Sequence, residues 1–205
     1  NSVEYEVAGE AETTNESAVR YLLATGYQGK AIKISQMFLF VSKKVRSEEI
    51  YDSGHNCVYR DGNGKSWTHL AYFKERLRDV IPDIDQISKE YPYDEDAPIS
   101  DAMRMVTEMA AKIQKYIQGE DMPAGSKMVL HADCTGGLRH TNMMMLGIMR
   151  LLQYNNIEIG MILYSNYKKK KVEEANEIYH FFDLIAGAEE FVRFGSVSAI
   201  LDYYH

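Results

Sequence analysis

Residues 133 to 142 read DCTGGLRHTN, a short stretch that gathers several groups able to bind a ligand. Thr135 and Asn142 offer hydrogen bonds, and Arg139 offers a permanent charge on a fork of donors. Gly136 and Gly137 carry no Cβ, so the backbone can turn sharply there and a ligand can come close to it. An apolar run leads into Asp133, and a Met- and Leu-rich segment with helical spacing follows from Leu138. A strand over 127–133 and a helix over 138–154 are therefore expected. The first N–H groups of that helix, from Leu138 onward, would lack partners inside it and carry partial positive charge, which suits a phosphate. The residue types fit an anionic, nucleotide-like ligand. The same glycine pair serves equally well as a tight strand-to-helix connection, and that reading stays open. The turn is neither G-x-G-x-x-G nor a phosphate-binding loop with its Lys-Ser/Thr, so it lacks the usual marks of a dinucleotide or triphosphate site.

Two other strand ends carry polar residues. FLFVSKKVR sets Ser42, Lys43 and Lys44 just past one apolar run, and ILYSNYKKKK sets Ser165 and Asn166 past another. If these strands neighbour 127–133, their ends converge on one cleft, because ligands of parallel sheets sit beyond the carboxyl ends of the strands. The run Lys168 to Lys171 reads as the solvated start of a helix, and Met143 to Met145 with Met149 read as core packing.

The elements that must position these groups alternate strand and helix. SVEYEV has a strand period on Val3, Tyr5 and Val7, and TTNESAVRYLLA reads as a helix capped by Thr14 or Asn15. IKISQMFLFVS reads as a buried strand ending at Ser42; residues 46 to 66, with the turn signal RDGNG, read as a loop or hairpin insertion. WTHLAYFKERLRDVI is helical in spacing, IDQISKEYPY is an ambiguous strand, and YDEDAP is a linker. Ser100 then caps DAMRMVTEMAAKIQKYI, the clearest amphipathic helix. After 138–154 come the strand IEIGMILYS, a helix from about Val172 to Ala186, and a closing helical segment interrupted at Gly195. Strands alternating with helices imply crossover units and a parallel sheet. The expected fold is α/β, a Rossmann-like three-layer sandwich with a mainly parallel sheet, in one domain spanning 1–205.

Bulk properties narrow the function. The 205 residues can bury a proper core. A formal net charge of -7 argues against a general binder of duplex nucleic acid while allowing a local cationic pocket. Two cysteines, Cys57 and Cys134, are too few for a disulfide framework and lack metal-site spacing, which fits a reducing cytosol. No apolar run approaches a membrane span and no signal peptide is evident. The chain opens at Asn1 without a Met, as a piece of a longer protein would.

DCTGGLRHTN between an apolar strand and a long helix resembles the Asp-x-Thr-His/Gly-Gly signature of CARF domains, the CRISPR-associated Rossmann-fold sensors. FDLIAGAEEFVRFGSVSAIL resembles the segment that closes such domains, and MFLFVSKKV is similar to the family's second strand and its Ser-containing loop. The likeness covers most of residues 15 to 204. Gly136 stands where many relatives carry His, and NSVEYEV looks more like the end of a ligand loop than the family's first strand. The resemblance implies a homodimer that binds cyclic oligoadenylate across its two-fold axis and switches on an attached effector in type III CRISPR defence. A ring with an even number of adenylates can share that two-fold symmetry. The implied binding set is Ser42, Lys43, Asp133, Thr135, Gly136, Gly137, Leu138, Arg139, His140, Asn142, Ser165 and Asn166, with no cofactor and no metal. The effector itself is not evident. No Arg–His spacing fits the HEPN ribonuclease motif, and no Asp/Glu-x-Lys triplet occurs. An effector domain in a missing part of the same chain is therefore expected, in the cytoplasm or tethered to a membrane through a missing segment. One alternative is a standalone ring nuclease that aligns the ligand's own 2′-hydroxyl on the adjacent phosphate, with His140 or Lys43 assisting. Another is an unrelated Rossmann-like enzyme acting on a mononucleotide.

Overall fold

Two long helices show how local pattern becomes packing. Val106, Met109, Ala110 and Ile113 recur at helical spacing along one, Met144, Ile148 and Leu152 along the other, and together they form one buried cluster. In a computed structural model, which describes residues 2–51, 59–60, 62–94, 96–119, 127–136 and 139–204, these are α5 (Ile99–Gly119) and α6 (Arg139–Tyr154). Phe38, Phe40, Tyr91, Leu130 and Ile159 pack against the same cluster, so the two helices cover strands from both halves of the chain.

The protein is a mixed α/β fold with small parallel and mixed sheets. β3 (Met37–Ser42) pairs in parallel with β4 (Ser88–Tyr93) in unbroken register from Met37↔Ser88 to Ser42↔Tyr93. The connection runs through α2 (Lys43–Ser47), α3 (His69–Leu77) and α4 (Ile84–Ile87), the length of crossover that a parallel pair needs. β5 (Leu130–Asp133) pairs in parallel with β6 (Ile159–Asn166) through the crossover helix α6. A hairpin, β1 (Val3–Tyr5) with β2 (Gly9–Ala11), packs with α1 (Glu16–Thr25) on the Met161 and Leu163 side of β6. Ala132 and Ile162 point the other way, to Met149 and Tyr179. Tyr179 belongs to α7 (Asn176–Phe194), which is followed by α8 (Ser198–Tyr204).

Several expected boundaries move. The first strand is cut at Val7, which takes a positive φ of 68° in the turn of the hairpin; a β-branched residue there is unusual. The region after β6 is not a helix start. Residues 167–170 form a turn, and β7 (Lys171–Glu174) runs antiparallel to β6, with Val172 buried. α7 begins only at Asn176 and runs unbroken to Phe194, where Gly195 caps it at a φ of 70°. The helix read as capped by Ser100 and beginning at Asp101 starts two residues earlier, at Ile99, so Ser100 lies inside it. In the 46–66 insertion the hairpin reading holds at two isolated antiparallel bridges, Glu49↔Thr68 and Arg60↔Ser66; Gly54, Cys57 and Asp61 lie outside the described residues. Met144 and Met149 are in the core as expected and Met145 packs beside it, but Met143 is 75% exposed. Among the described residues, no helix is long and apolar enough to cross a membrane.

At the start of β5 and β6 a side chain replaces a ladder bond. The register slips between Leu130 and Ala132, and the Met161 N–H donates 3.0 Å to His131 Nδ1. Gly160 makes room for the ring, since a Cβ there would lie 2.6 Å from its Cε1. The edge of the ring meets Tyr27 at 5.0 Å, and Glu158, itself paired to Lys127 and accepting from Tyr27 at 3.0 Å, is the nearby charge. Burial lowers the His131 pKa below its ordinary 6.5, with Glu158 opposing. The unfolded chain then binds the proton more readily, so stability is lost as pH falls below about 6.5 toward the lowered native value. In thermal melts between pH 7 and 5, His131→Gln is expected to flatten that decline; an unchanged slope would show that His131 does not contribute to it.

Candidate functional site

The end of β5 opens on a cleft of about 1390 Å³ between α1, β3 and β5. Ser42, Asp133, Gly136 and Thr141 line it, so two separate stretches of sequence meet there. Each is placed by its own element: Ser42 ends β3, Asp133 ends β5, Gly136 lies in the turn, and Thr141 sits in the first turn of α6.

Asp133 is the best-held of them. Its carboxylate accepts from Asn15 Nδ2 at 2.6 Å, from the Thr135 N–H at 2.9 Å, and from the Thr135 hydroxyl. Burial drives its pKa up, while these donors oppose the rise. Thr135 Oγ1 in turn accepts from the Ser165 N–H at 2.8 Å, and Ser17 Oγ donates 2.7 Å to Ser165 Oγ in a buried contact. A connected polar network thus ties the ends of β5 and β6 to α1. At Gly136, a Cβ would come 2.9 Å from Asn15 Oδ1, so the close approach that needs glycine is made here by the protein itself.

The expected binding residues divide accordingly. Ser42, Asp133 and Gly136 face the cleft together. Thr135 and Ser165 stand behind them in the network. Ser42 is also the N-cap of α2, accepting 3.3 Å from the Val45 N–H, and is nearly fully buried. Lys43 is exposed on α2 and does not line the cleft. Asn166 turns to β7, donating 3.0 Å to Glu173 and accepting from the Lys169 N–H at 3.1 Å. Asn142 stands in the first turn of α6, with a buried Oδ1 that has no hydrogen-bond partner among the described residues. Arg139 begins α6 with His140 next, although their side chains, and Gly137 and Leu138 entirely, lie outside the described residues. Cys134 is no nucleophile at neutral pH: burial, and then Asp133, push its thiol up to about 11.

The sequence reading missed the α1 side of the cleft. Asn15 stands at the cap position of α1 but makes no side-chain cap bond, reaching Asp133 instead. Glu16 is fully buried; it accepts from the Glu12 and Thr13 N–H groups at 2.9 and 3.3 Å and pairs with Arg20 at 3.0 Å and Arg76 at 3.1 Å. Glu12 takes the hydroxyls of Tyr59, at 3.0 Å, and Tyr72. The local signal was Thr13-x-x-Glu16, the spacing of a capping box.

Among the described residues, no group of three or more His, Cys, Asp and Glu is placed to hold a metal ion. No protein-family model matches the chain, and no curated protein matches it significantly.

Proposed function

We propose that this chain is a CARF-like sensor domain that binds cyclic oligoadenylate, cyclic tetra-adenylate in the first instance, as a two-fold dimer and passes the signal to an attached effector in type III CRISPR defence. The observation that carries the reading is the turn from Asp133 to Gly136, which leaves a parallel strand, faces a wide cleft and leads to the 16-residue helix α6. That is where ligands of parallel sheets sit, and the N-terminus of such a helix favours phosphate. The matching architecture is a Rossmann-like three-layer sandwich, in which the separately paired β3–β4 and β5–β6–β7 sheets together make up the mainly parallel layer. Support for it comes from α5 and α6 packing against both pairs. A cytoplasmic setting goes with this role.

The deciding experiment incubates the protein with cyclic tetra- and hexa-adenylate and resolves the mixture by chromatography. Retention of intact ring is the expected result. Linear products would make the domain a ring nuclease, and the absence of any interaction would favour the mononucleotide enzyme. Arg139→Ala and Asn142→Ala should each weaken binding about ten- to hundredfold, the loss of one hydrogen bond to a charged group. Folded variants with unchanged affinity would remove the start of α6 from the site. Ultracentrifugation with and without ring should show a dimer that the ligand tightens; a monomer holding a whole ring would overturn the two-fold arrangement.

A further inference from the structure

β3 hydrogen-bonds only to β4, and β5 only to β6, so each strand has one edge outside its ladder. Both edges meet the same cleft. All six residues of β3 line it, and so does the whole run from Lys127 to Asp133. A cleft over the face of a sheet would meet alternate residues, because successive side chains point to opposite faces. One that meets every residue lies along the edge. Cys134 at the end of β5 donates its N–H to Leu163 of β6, so the N–H of Asp133 before it points the other way, into the cleft.

The two sheets are held as parts of one layer. α1 reaches both on one face: Leu22 packs with Leu163, while Val19 and Leu23 join the cluster of Leu77 and Ile84 that Met37 also joins. On the other face α5 and α6 cover Phe38 and Phe40 together with Leu130. The Thr141 hydroxyl, just beyond β5, donates 3.4 Å to the hydroxyl of Tyr93 at the end of β4, so the carboxyl ends of both sheets lie on one side. Between the edges the cleft is apolar, with Ala18 and Leu22 from one face and Ile113 and Ile148 from the other. β6, with a strand on either side, is buried from Gly160 to Leu163. Met37 to Phe40 of β3 are as apolar and stay partly exposed. Strand edges at two sides and helices above and below are the surroundings of a central parallel strand.

We propose that the cleft is a strand slot, and that its occupant is an extended segment of this same polypeptide, immediately before Asn1, which joins β3 and β5 into one sheet. The inference rests on the single-layer reading of the sheets and not on the adenylate reading of the ligand. Two observations choose the occupant. β3, β4, β5 and β6 follow one another through helices, each a parallel crossover, whereas α1 leads into β3 with only the antiparallel hairpin β1–β2 ahead of it. A strand ahead of that hairpin would give the spatial order β4-β3-slot-β5-β6, the doubly wound order in which the first strand lies at the switch point. The chain also enters from the right place. Val3 lies opposite Ala11, and the residues after it, Glu12 to Asn15, line the cleft where Asn15 holds Asp133 at the carboxyl end of β5. A strand parallel to its neighbours leaves the slot at that rim. Its backbone would pair the N–H and C=O groups of both edges, which burial otherwise penalises. Buried on both faces, it should be a near-continuous run of Val, Ile and Leu, about six residues or about 20 Å long to match β3. The ligand place beyond the carboxyl ends stays open above it.

The test compares the 205-residue chain with the same chain extended by the residues encoded upstream of Asn1. Those residues should contain the apolar run. In the extended chain the amides of β3 and of Asp133 should exchange with deuterium about tenfold more slowly or better, the scale of one hydrogen bond gained. A synthetic peptide of the run should bind the 205-residue chain saturably, and the same peptide with Pro at its centre should not, because Pro cannot join a central ladder. The absence of such a run upstream, unchanged exchange in the extended chain, or equal binding of the Pro peptide would each overturn the slot. Edges protected by the upstream segment in a chain that binds no ring keep the slot and remove the sensor. A ring bound by an extended chain whose edges exchange as before does the reverse.

Discussion

Glu16→Ala is expected to cost the fold about 3–5 kcal/mol, the range for removing one partner of a buried ion pair. Glu16 has no exposure, and it is the common partner of Arg20, whose side chain is 14% exposed, and Arg76, 27% exposed. Without it, two guanidinium groups lose a carboxylate in a largely dry place, and the Glu12 and Thr13 N–H groups lose their acceptor. Arg20 would keep Asp79, at 2.8 Å, so it is Arg76 that is left worse off. At this chain length each kcal/mol shifts the melting temperature by roughly 2–4 °C, so the loss should lie on the order of 10 °C. Glu16→Gln keeps the shape and an acceptor oxygen for the backbone, and should fall between the two. A melting point within a degree of the unaltered chain would show that the arginines find other partners and that the cluster is not a keystone. Because Glu16 holds the loop from Glu12 to Asn15, partial unfolding should also loosen the cleft, seen as weaker ring binding at temperatures where the rest of the chain is still folded.

What the sequence revealed of this cluster, and what it hid, follows from the range of the forces. α5 and α6 were legible because their apolar spacing is local and the core simply accepts it; Ile113 and Leu152 are buried where the period puts them. The strand, turn and helix around Asp133 were legible for the same reason. β7 was not. Its only buried apolar residue is Val172, and what makes it a strand is pairing with β6, from Leu163↔Glu174 to Asn166↔Lys171. The lysine run before it is equally at home in a solvated helix or an exposed turn, so composition could not choose. The contact between Asn15 and Asp133 spans 118 positions and involves two residue types that usually serve caps and turns locally. Nothing local marks Glu16 for burial; besides Arg20 one turn on, it needs Arg76 to arrive from α3, 60 residues away.

Thr135→Val tests the other half of the site and should have the second largest effect, about 2–4 kcal/mol, because it orphans groups on two strands at once. Valine matches the shape of threonine and removes only the hydroxyl. The Ser165 N–H then loses its acceptor at the end of β6, and Asp133 loses one of its three donors at a position where burial already disfavours its charge. The pH response gives the signature. A carboxyl whose native pKa lies above its unfolded value takes up a proton more readily when folded, so stability falls as pH rises from the unfolded value, 3.8, to the raised native one, and the penalty is constant above that. Losing the hydroxyl raises the native pKa further. The deficit of Thr135→Val should therefore be full at neutral pH and shrink as the solution is acidified through that window, whereas a mere packing defect would cost the same at every pH. Urea unfolding at pH 7 and at a mildly acidic pH, compared for the two proteins, separates the cases. A pH-independent difference would mean that Asp133 does not feel the Thr135 hydroxyl. The turn would then be held by its Asn15 contact and the Thr135 N–H alone. Ring binding should follow the same order, since the hydroxyl that joins β5 to β6 also fixes where the turn leaves the sheet and hence where α6 begins.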